Sequence, residues 1–274
     1  MIIQDHPVRS PYKQNATSAA GFTLVEMSIV LVVIGMLIGG VFAGKALVRQ
    51  SQINSAVTAA QTYISTIASF KQKYNELPGD MADAQSYWGT ASSACPPTYA
   101  SPLTGTATCN GDGNGEIGVT GAWGSANYEM FLVWHHLANA QMIQGFYNGA
   151  PGSAGSLDHI VGMNCPESKL SGGGYGIGFL GIQKNATYWF DGNWGHQIVL
   201  GGYQSNNWPS GGLITSPEAL AIDTKYDDGR PATGVISTVK PAGMSCASSS
   251  NAGSAVYDIT QTGNTCALLF TTGY

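Results

Sequence analysis

Residues Phe22 to Gly44, FTLVEMSIVLVVIGMLIGGVFAG, form the one strongly apolar run in this 274-residue chain. As a helix rising about 1.5 Å per residue, the run reaches roughly 34 Å, enough to cross the hydrocarbon of a bilayer with slight tilt. Cations flank both ends, with Arg9 and Lys13 before it and Lys45 and Arg49 after it, so charge alone does not set an orientation. A chain with one such run is expected to span once and to hold its long remainder on one side. A secretory signal is the alternative, since Val41-Phe42-Ala43 resembles a small-residue cleavage site. Two features oppose it. The run exceeds the about 7–15 residues of an ordinary signal core, and Glu26 stands inside it. A carboxylate near hydrocarbon is costly without a partner, which makes a role for Glu26 the expectation.

Gly21-Phe22-Thr23-Leu24-Val25-Glu26, followed directly by the apolar run, resembles the prepilin processing motif of type IV pilins and type II secretion pseudopilins. The resemblance implies cleavage between Gly21 and Phe22 by prepilin peptidase, methylation of the new Phe22 amine, and Glu26 as fifth residue of the mature chain. It implies a single-pass subunit of the bacterial inner membrane. An assembly platform there would pass it into a periplasmic or cell-surface filament with other pilin-like subunits. Cutting before the apolar run keeps that run on the mature protein, and a bundle of like helices gives it a second apolar environment. Within such a bundle Glu26 can pair with the Phe22 amine of a neighbour, because opposite charges attract strongly where the dielectric is low. Leu77-Pro78-Gly79-Asp80, Tyr87-Trp88-Gly89, Trp134-His135-His136-Leu137 and Ile222-Asp223-Thr224-Lys225-Tyr226-Asp227-Asp228-Gly229 are similar to patches in proteobacterial pilin-like proteins.

Three segments are expected: a leader over residues 1–21, an N-terminal helix over 22–77 with its membrane half at 22–44, and a head over 78–274. Ile53, Val57, Ala60, Ile64, Ile67 and Tyr74 recur at three- and four-residue steps, which predicts an amphipathic continuation of the helix to Leu77-Pro78. The head should be α+β with an antiparallel sheet. Strand-like runs lie at 176–182, 186–190, 197–200, 235–239 and 267–271, and helices are expected at 127–142 and 217–226, the second with Ser216 as N-cap. Charged residues are 10% of the chain, its net charge is −5 and it holds 37 Gly. That balance speaks against nucleic acid as the main partner and for an extracytoplasmic surface rich in turns.

Five cysteines, Cys95, Cys109, Cys165, Cys246 and Cys266, follow the apolar run, where oxidation is available. Cys95–Cys109 and Cys246–Cys266 are the expected pairs. Sequence alone does not fix the connectivity. A bridged C-terminal loop is similar to that of many pilins. Asn110, Asp112, Asn114 and Glu116 alternate oxygen-bearing side chains with glycines like the front of a calcium loop, and calcium is the candidate ion. Its twelfth position is Gly121 where a bidentate acid is needed, so Glu129 or another distant residue would have to complete the shell. Asp223, Asp227 and Asp228 form a second acidic group. Gly176-Ile177-Gly178-Phe179-Leu180-Gly181 fits GxGxxG but lacks a following helix, and a small-residue strand is expected. No HExxH, P-loop or nucleophile elbow occurs, so the expectation is a structural protein and no enzyme. A pilus-like subunit leads; a type II secretion pseudopilin, or a membrane-anchored periplasmic binding module or hydrolase, are the alternatives.

Overall fold

A computed structural model describes residues 21–92, 95–118, 128–239 and 246–274. The leader through Ala20, and Gly121 of the calcium-like loop, lie outside the described residues. The chain falls into two compact units, residues 1–49 and 50–274. Helix α1 runs from Leu24 to Tyr74, α2 from Ala84 to Trp88, α3 from Glu129 to Asn139 and α4 from Ser216 to Tyr226. The strands are β1 (Gly173–Phe179), β2 (Ile182–Gln183), β3 (Gly192–Asn193), β4 (His196–Gly202), β5 (Ile236–Thr238) and β6 (Leu268–Thr271).

In the first unit every residue from Gly21 to Val48 is exposed. An 18-residue window of α1 has a mean hydropathy of 2.5 and none of it is buried. Leu24, Leu31, Met36 and Phe42 all show most of their surface. A helix that is apolar on every side and covered on none requires a nonaqueous surrounding.

The second unit packs the later half of α1 together with the head elements. From Ile53 onward α1 turns amphipathic and buries Ile53, Ala56, Val57, Ala60, Ile67 and Phe70. These steps of three and four keep one face toward the sheet and α3, as the sequence pattern indicates. The helix ends at Tyr74, three residues before the expected stop. Asn75 takes a left-handed φ of 61° there and ends the helical run ahead of Pro78. An antiparallel sheet in the order β1-β4-β6-β5 faces the helices. Tyr175 of β1 ties the sheet to α1 by donating from its hydroxyl to the Ala56 carbonyl at 2.9 Å. Tyr63 of α1 lies edge-on to Trp134 of α3 and to Tyr175, with ring centres 5.2 and 5.0 Å away. These contacts hold helix, helix and strand around one core. Fold class α+β, with a long N-terminal helix and an antiparallel sheet in the head, is therefore established.

Several boundaries differ from expectation for local reasons. The run 176–182 is cut at Gly181, whose φ of 58° turns the chain into β2. Residues 186–190 are no strand. They form the loop between β2 and β3, opened by Asn185 at φ 53° and pinned by the Asn185 amide donating to Asp191 Oδ1 at 2.9 Å. Phe190 serves instead as a plug among Ala232, Ala247 and Ala255. The N-cap of α4 is Thr215, not Ser216. Thr215 and Glu218 form a reciprocal capping box. Ser216 is buried and donates to the Cys246 carbonyl at 3.0 Å. The GxGxxG segment is a strand in its first half, and a Cβ on Gly176 would lie 2.7 Å from Pro209.

Candidate functional site

The N-terminal site begins with a capping box. Thr23 precedes the first helical residue, and its amide and hydroxyl both donate to Glu26 Oε2, at 2.7 and 2.8 Å. The Glu26 amide in turn donates to Thr23 Oγ1 at 3.2 Å. Thr23 and Glu26 thus satisfy amides that a helix start leaves open. The carboxylate also lies at the positive end of the helix dipole. Thr-x-x-Glu is a signature legible in the sequence, and it gives Glu26 an intramolecular role that reasoning from the membrane alone misses. Gly21 and Phe22 precede this cap in irregular, exposed chain. An uncovered peptide directly before a helix is accessible to a peptidase.

A second constellation joins patches far apart in sequence. Gly79 takes a φ of 90°, and a Cβ there would sit 2.5 Å from the Glu129 carbonyl oxygen. Its amide donates to His136 Nδ1 at 2.9 Å. That bond leaves the proton on His136 Nε2, which reaches Thr108 Oγ1 at 3.0 Å and the Cys109 carbonyl at 3.2 Å. Burial pushes His136 down to about 3, with neighbouring His135 adding to the effect, so the ring is neutral. His135 turns elsewhere, to the Tyr147 carbonyl at 2.6 Å. The two rings hold separate backbone partners and do not share a ligand.

Next to Gly79, Asp80 collects the loop. Its Oδ1 accepts from the Asn114 amide and its Oδ2 from the Gly115 amide, both at 3.0 Å. Glu129, the first residue of α3, accepts from the Asp112 amide at 2.9 Å and the Gly118 amide at 2.6 Å. Both acids are buried while Asp112 is exposed, and ligand oxygens of the three lie within 4.8 Å of one another. Burial pushes Asp80 up to about 6 and Glu129 up to about 7. The amide donors oppose the shift, and the Asp112 charge adds to it.

Of the four residues expected to front a calcium loop, only Asp112 joins this cluster. Asn110 Oδ1 accepts from the Gln85 amide at 2.9 Å, and Asn114 Oδ1 from the Glu116 amide at 2.7 Å. Glu116 is exposed. Asp80, which sequence reasoning did not nominate, supplies the third acid. Its partners lie 34 and 35 residues away, so no local pattern could have marked it. Asp80, Asp112 and Glu129 are the oxygens that could meet a divalent cation. Four backbone amides already bind the two buried acids, and that accounts for the cluster as a loop clamp.

The second acidic group is similar in build. Asp223 Oδ1 accepts from the Gly229 amide at 3.0 Å and Oδ2 from the Tyr257 hydroxyl at 2.6 Å. Asp227 accepts from the Ile236 amide at 2.7 Å, and Asp228 from Thr233 Oγ1 at 2.6 Å. Cys95 is bonded to Cys109, Cys246 is bonded to Cys266, and Cys165 is a buried thiol. The first bridge adjoins the His136 partner Cys109. The second closes the loop that carries Tyr257.

No curated protein and no solved structure matches the chain. Residues 17–42 match the prokaryotic N-terminal methylation motif. With the uncovered apolar helix behind it, that match gives the chain a pilin-type N-terminus, consistent with the type IV pilin and pseudopilin family.

Proposed function

We propose that the chain is a structural subunit of a type IV pilus-like filament. Prepilin peptidase cuts between Gly21 and Phe22, the Phe22 amine is methylated, and α1 then carries the subunit from the inner membrane into the polymer. One observation carries the reading: a methylation motif at residues 17–42 opens a helix whose apolar surface is bare from Leu24 to Val48. An all-round apolar surface of this kind is one that lipid or other helices cover. Assembly replaces one with the other without exposing the helix to water. The partners are other pilin-like subunits and an inner-membrane assembly platform. The product is a filament at the periplasm or cell surface.

Glu26 keeps its cap and also meets the Phe22 amine of a neighbouring subunit, which fixes the axial register. N-terminal sequencing with intact mass tests the processing, and a chain starting at N-methylated Phe22 is expected. A start near Gly44 would remove the retained helix and the proposal with it. Glu26→Ala separates polymer from simple anchor. Loss of filament incorporation, with the head folded and the chain still in the membrane, is expected of a subunit; unchanged incorporation would refute the register role.

A further inference from the structure

The two disulfides sit in opposite settings. Cys246 and Cys266 are fully buried in the main core of the head. Ser216 Oγ lies 3.4 Å from Cys266 Sγ, and the Cys266 amide and carbonyl both bond the Ile214 backbone. Cys109 is buried as well, in a satellite cluster with Leu103 and Leu132. Its partner Cys95 is exposed, and Gln85 of α2 donates from Nε2 to Cys95 Sγ at 3.7 Å. One bridge has an outer end, and the other has none.

The segment that the outer bridge closes is anchored without it. The Leu103 amide donates to the Asn148 carbonyl at 3.0 Å, and Asn139 Nδ2 donates to the Thr106 carbonyl at 2.7 Å. The Thr108 amide donates to the Gly89 carbonyl at 2.9 Å, and its carbonyl accepts from the Ala91 amide at 3.1 Å. His136 adds its contacts to Thr108 Oγ1 and the Cys109 carbonyl. Thr98 and Ser101 exchange backbone bonds within the turn that carries the exposed Tyr99. Opening the outer bridge thus loosens this surface turn, while Cys109, α3 and the acidic loop keep their bonds. The inner bridge closes the loop of Tyr257, whose hydroxyl holds Asp223 of α4, and Cys266 leads into β6. A reagent meets those sulfurs only when that packing comes apart.

We infer that Cys95–Cys109 is a thiol–disulfide exchange site of the folded head, opened and closed through Cys95 by a protein dithiol, while Cys246–Cys266 stays closed until the head unfolds. The dithiol's thiolate attacks Cys95 Sγ and forms a mixed disulfide. The bond between the two cysteines breaks, its electron pair goes to Cys109 Sγ, and that sulfur takes a proton from water. The second thiol of the partner then displaces Cys95 as a thiol. Two electrons and two protons pass to the cysteines, and the dithiol is oxidised to its own disulfide. Reactivity follows access to the sulfur, so the exposed residue is the point of entry. Run in reverse by an oxidised partner, the exchange closes the outer bridge after folding. The inner bridge has to close before its cysteines are packed away. The inference concerns the head alone and holds whichever way the N-terminal run is used.

The test incubates the full chain in detergent with dithiothreitol and stops samples with acid at intervals. Alkylation by N-ethylmaleimide in urea, followed by peptide mass spectrometry, then reports each cysteine. Cys165, a buried free thiol, labels throughout and is the internal standard. The expected result is that Cys95 and Cys109 open together severalfold faster than Cys246 and Cys266, with tryptophan fluorescence unchanged. Urea below the unfolding transition should speed the inner bridge and leave the outer one nearly constant. Equal rates for the two bridges, or an outer rate that climbs with urea in step with the inner one, overturn the inference. Cys109→Ala and Cys95→Ala locate the entry without a reductant. In the folded protein, Cys95 of the first should react with N-ethylmaleimide severalfold faster than Cys109 of the second; equal rates refute entry through Cys95.

Discussion

Raising the pH from 5 to 8 should draw stability from the Asp80–Asp112–Glu129 cluster. The buried His136 and His159, held down to about 3 and about 4, return stability over the lower part of that range. The cluster is therefore read as the difference between the unaltered protein and Glu129→Gln. Burial holds Glu129 at about 7 against 4.5 for a free side chain, and Asp80 at about 6 against 3.8. A carboxyl whose pKa is raised by folding contributes its stabilisation below the unfolded value and loses it as pH climbs through the folded one. The windows are thus pH 4.5 to 7 for Glu129 and 3.8 to 6 for Asp80. At about 1.4 kcal/mol for each tenfold step, Glu129 alone bounds the loss at about 3 kcal/mol. Screening from the solvent side, where Asp112 is exposed, brings that to roughly 2 kcal/mol. The acids share Asp112 as neighbour, so their contributions do not simply add. Urea unfolding of the full chain in detergent with a chelator, followed by tryptophan fluorescence, measures it, since all six Trp lie beyond residue 77. Relative to Glu129→Gln, the unaltered protein should lose roughly 2 kcal/mol more stability between pH 5 and 8. The slope is the readout, because the amide side chain changes absolute stability by itself. A slope in Glu129→Gln equal to that of the unaltered protein would refute the account of the cluster.

Gly79→Ala combines a φ of 90° with a Cβ 2.5 Å from the Glu129 carbonyl oxygen. It should cost roughly 3 kcal/mol in the same urea assay. Thr215→Ala removes one half of the α4 capping box and should cost about 1 kcal/mol, while Ser216→Ala should instead register as loss of the buried bond to Cys246. Calcium at pH 8 should leave the melting temperature of the head unchanged, because backbone amides already hold Asp80 and Glu129. A rise that is lost in Asp112→Ala would make the cluster a cation site.

What the sequence shows and hides follows from the range of the forces involved. The turn from all-round apolar to one-faced apolar in α1 is local and periodic, and the stripe of Ile53, Val57, Ala60 and Ile67 is readable directly. Both capping boxes are equally local, yet two adjacent hydroxyls at 215 and 216 present the same chemistry, and only packing decides which one faces solvent. Ala186–Phe190 looks like a strand because β-branched and aromatic composition cannot distinguish a ladder from a plug; the left-handed Asn185 decides it. Asp80, Glu129 and His136 lie furthest from view. Leu77-Pro78-Gly79-Asp80 reads as a helix stop, the glycine loop as a metal site and Trp134-His135-His136-Leu137 as helix core. Their convergence is tertiary, since Gly79 can approach α3 only because it lacks a Cβ.

The cap that Glu26 forms and its proposed pairing with a neighbour's Phe22 amine are compatible only in a particular order. Its bonds to the Thr23 amide and hydroxyl both fall on Oε2, so the cap exists in a single subunit and holds the first turn rigid. A cap does not neutralise the charge. It spreads the charge over helix amides, and a carboxylate drawn into a bundle of apolar helices still lacks a counter-ion. Before cleavage, the nitrogen of Phe22 is a neutral amide within the chain and cannot serve. Cleavage would create a cation two residues ahead of the first helical residue, Leu24, and methylation of that amine leaves it positive. On the proposed function, processing would supply the charge that Glu26 lacks, and the preformed cap would present the carboxylate to it with one geometry rather than many. On this reasoning, blocking cleavage with Gly21→Ala should phenocopy Glu26→Ala in assembly while leaving the Thr23–Glu26 cap, the membrane span and the head intact; filaments built from uncleaved chains would refute it.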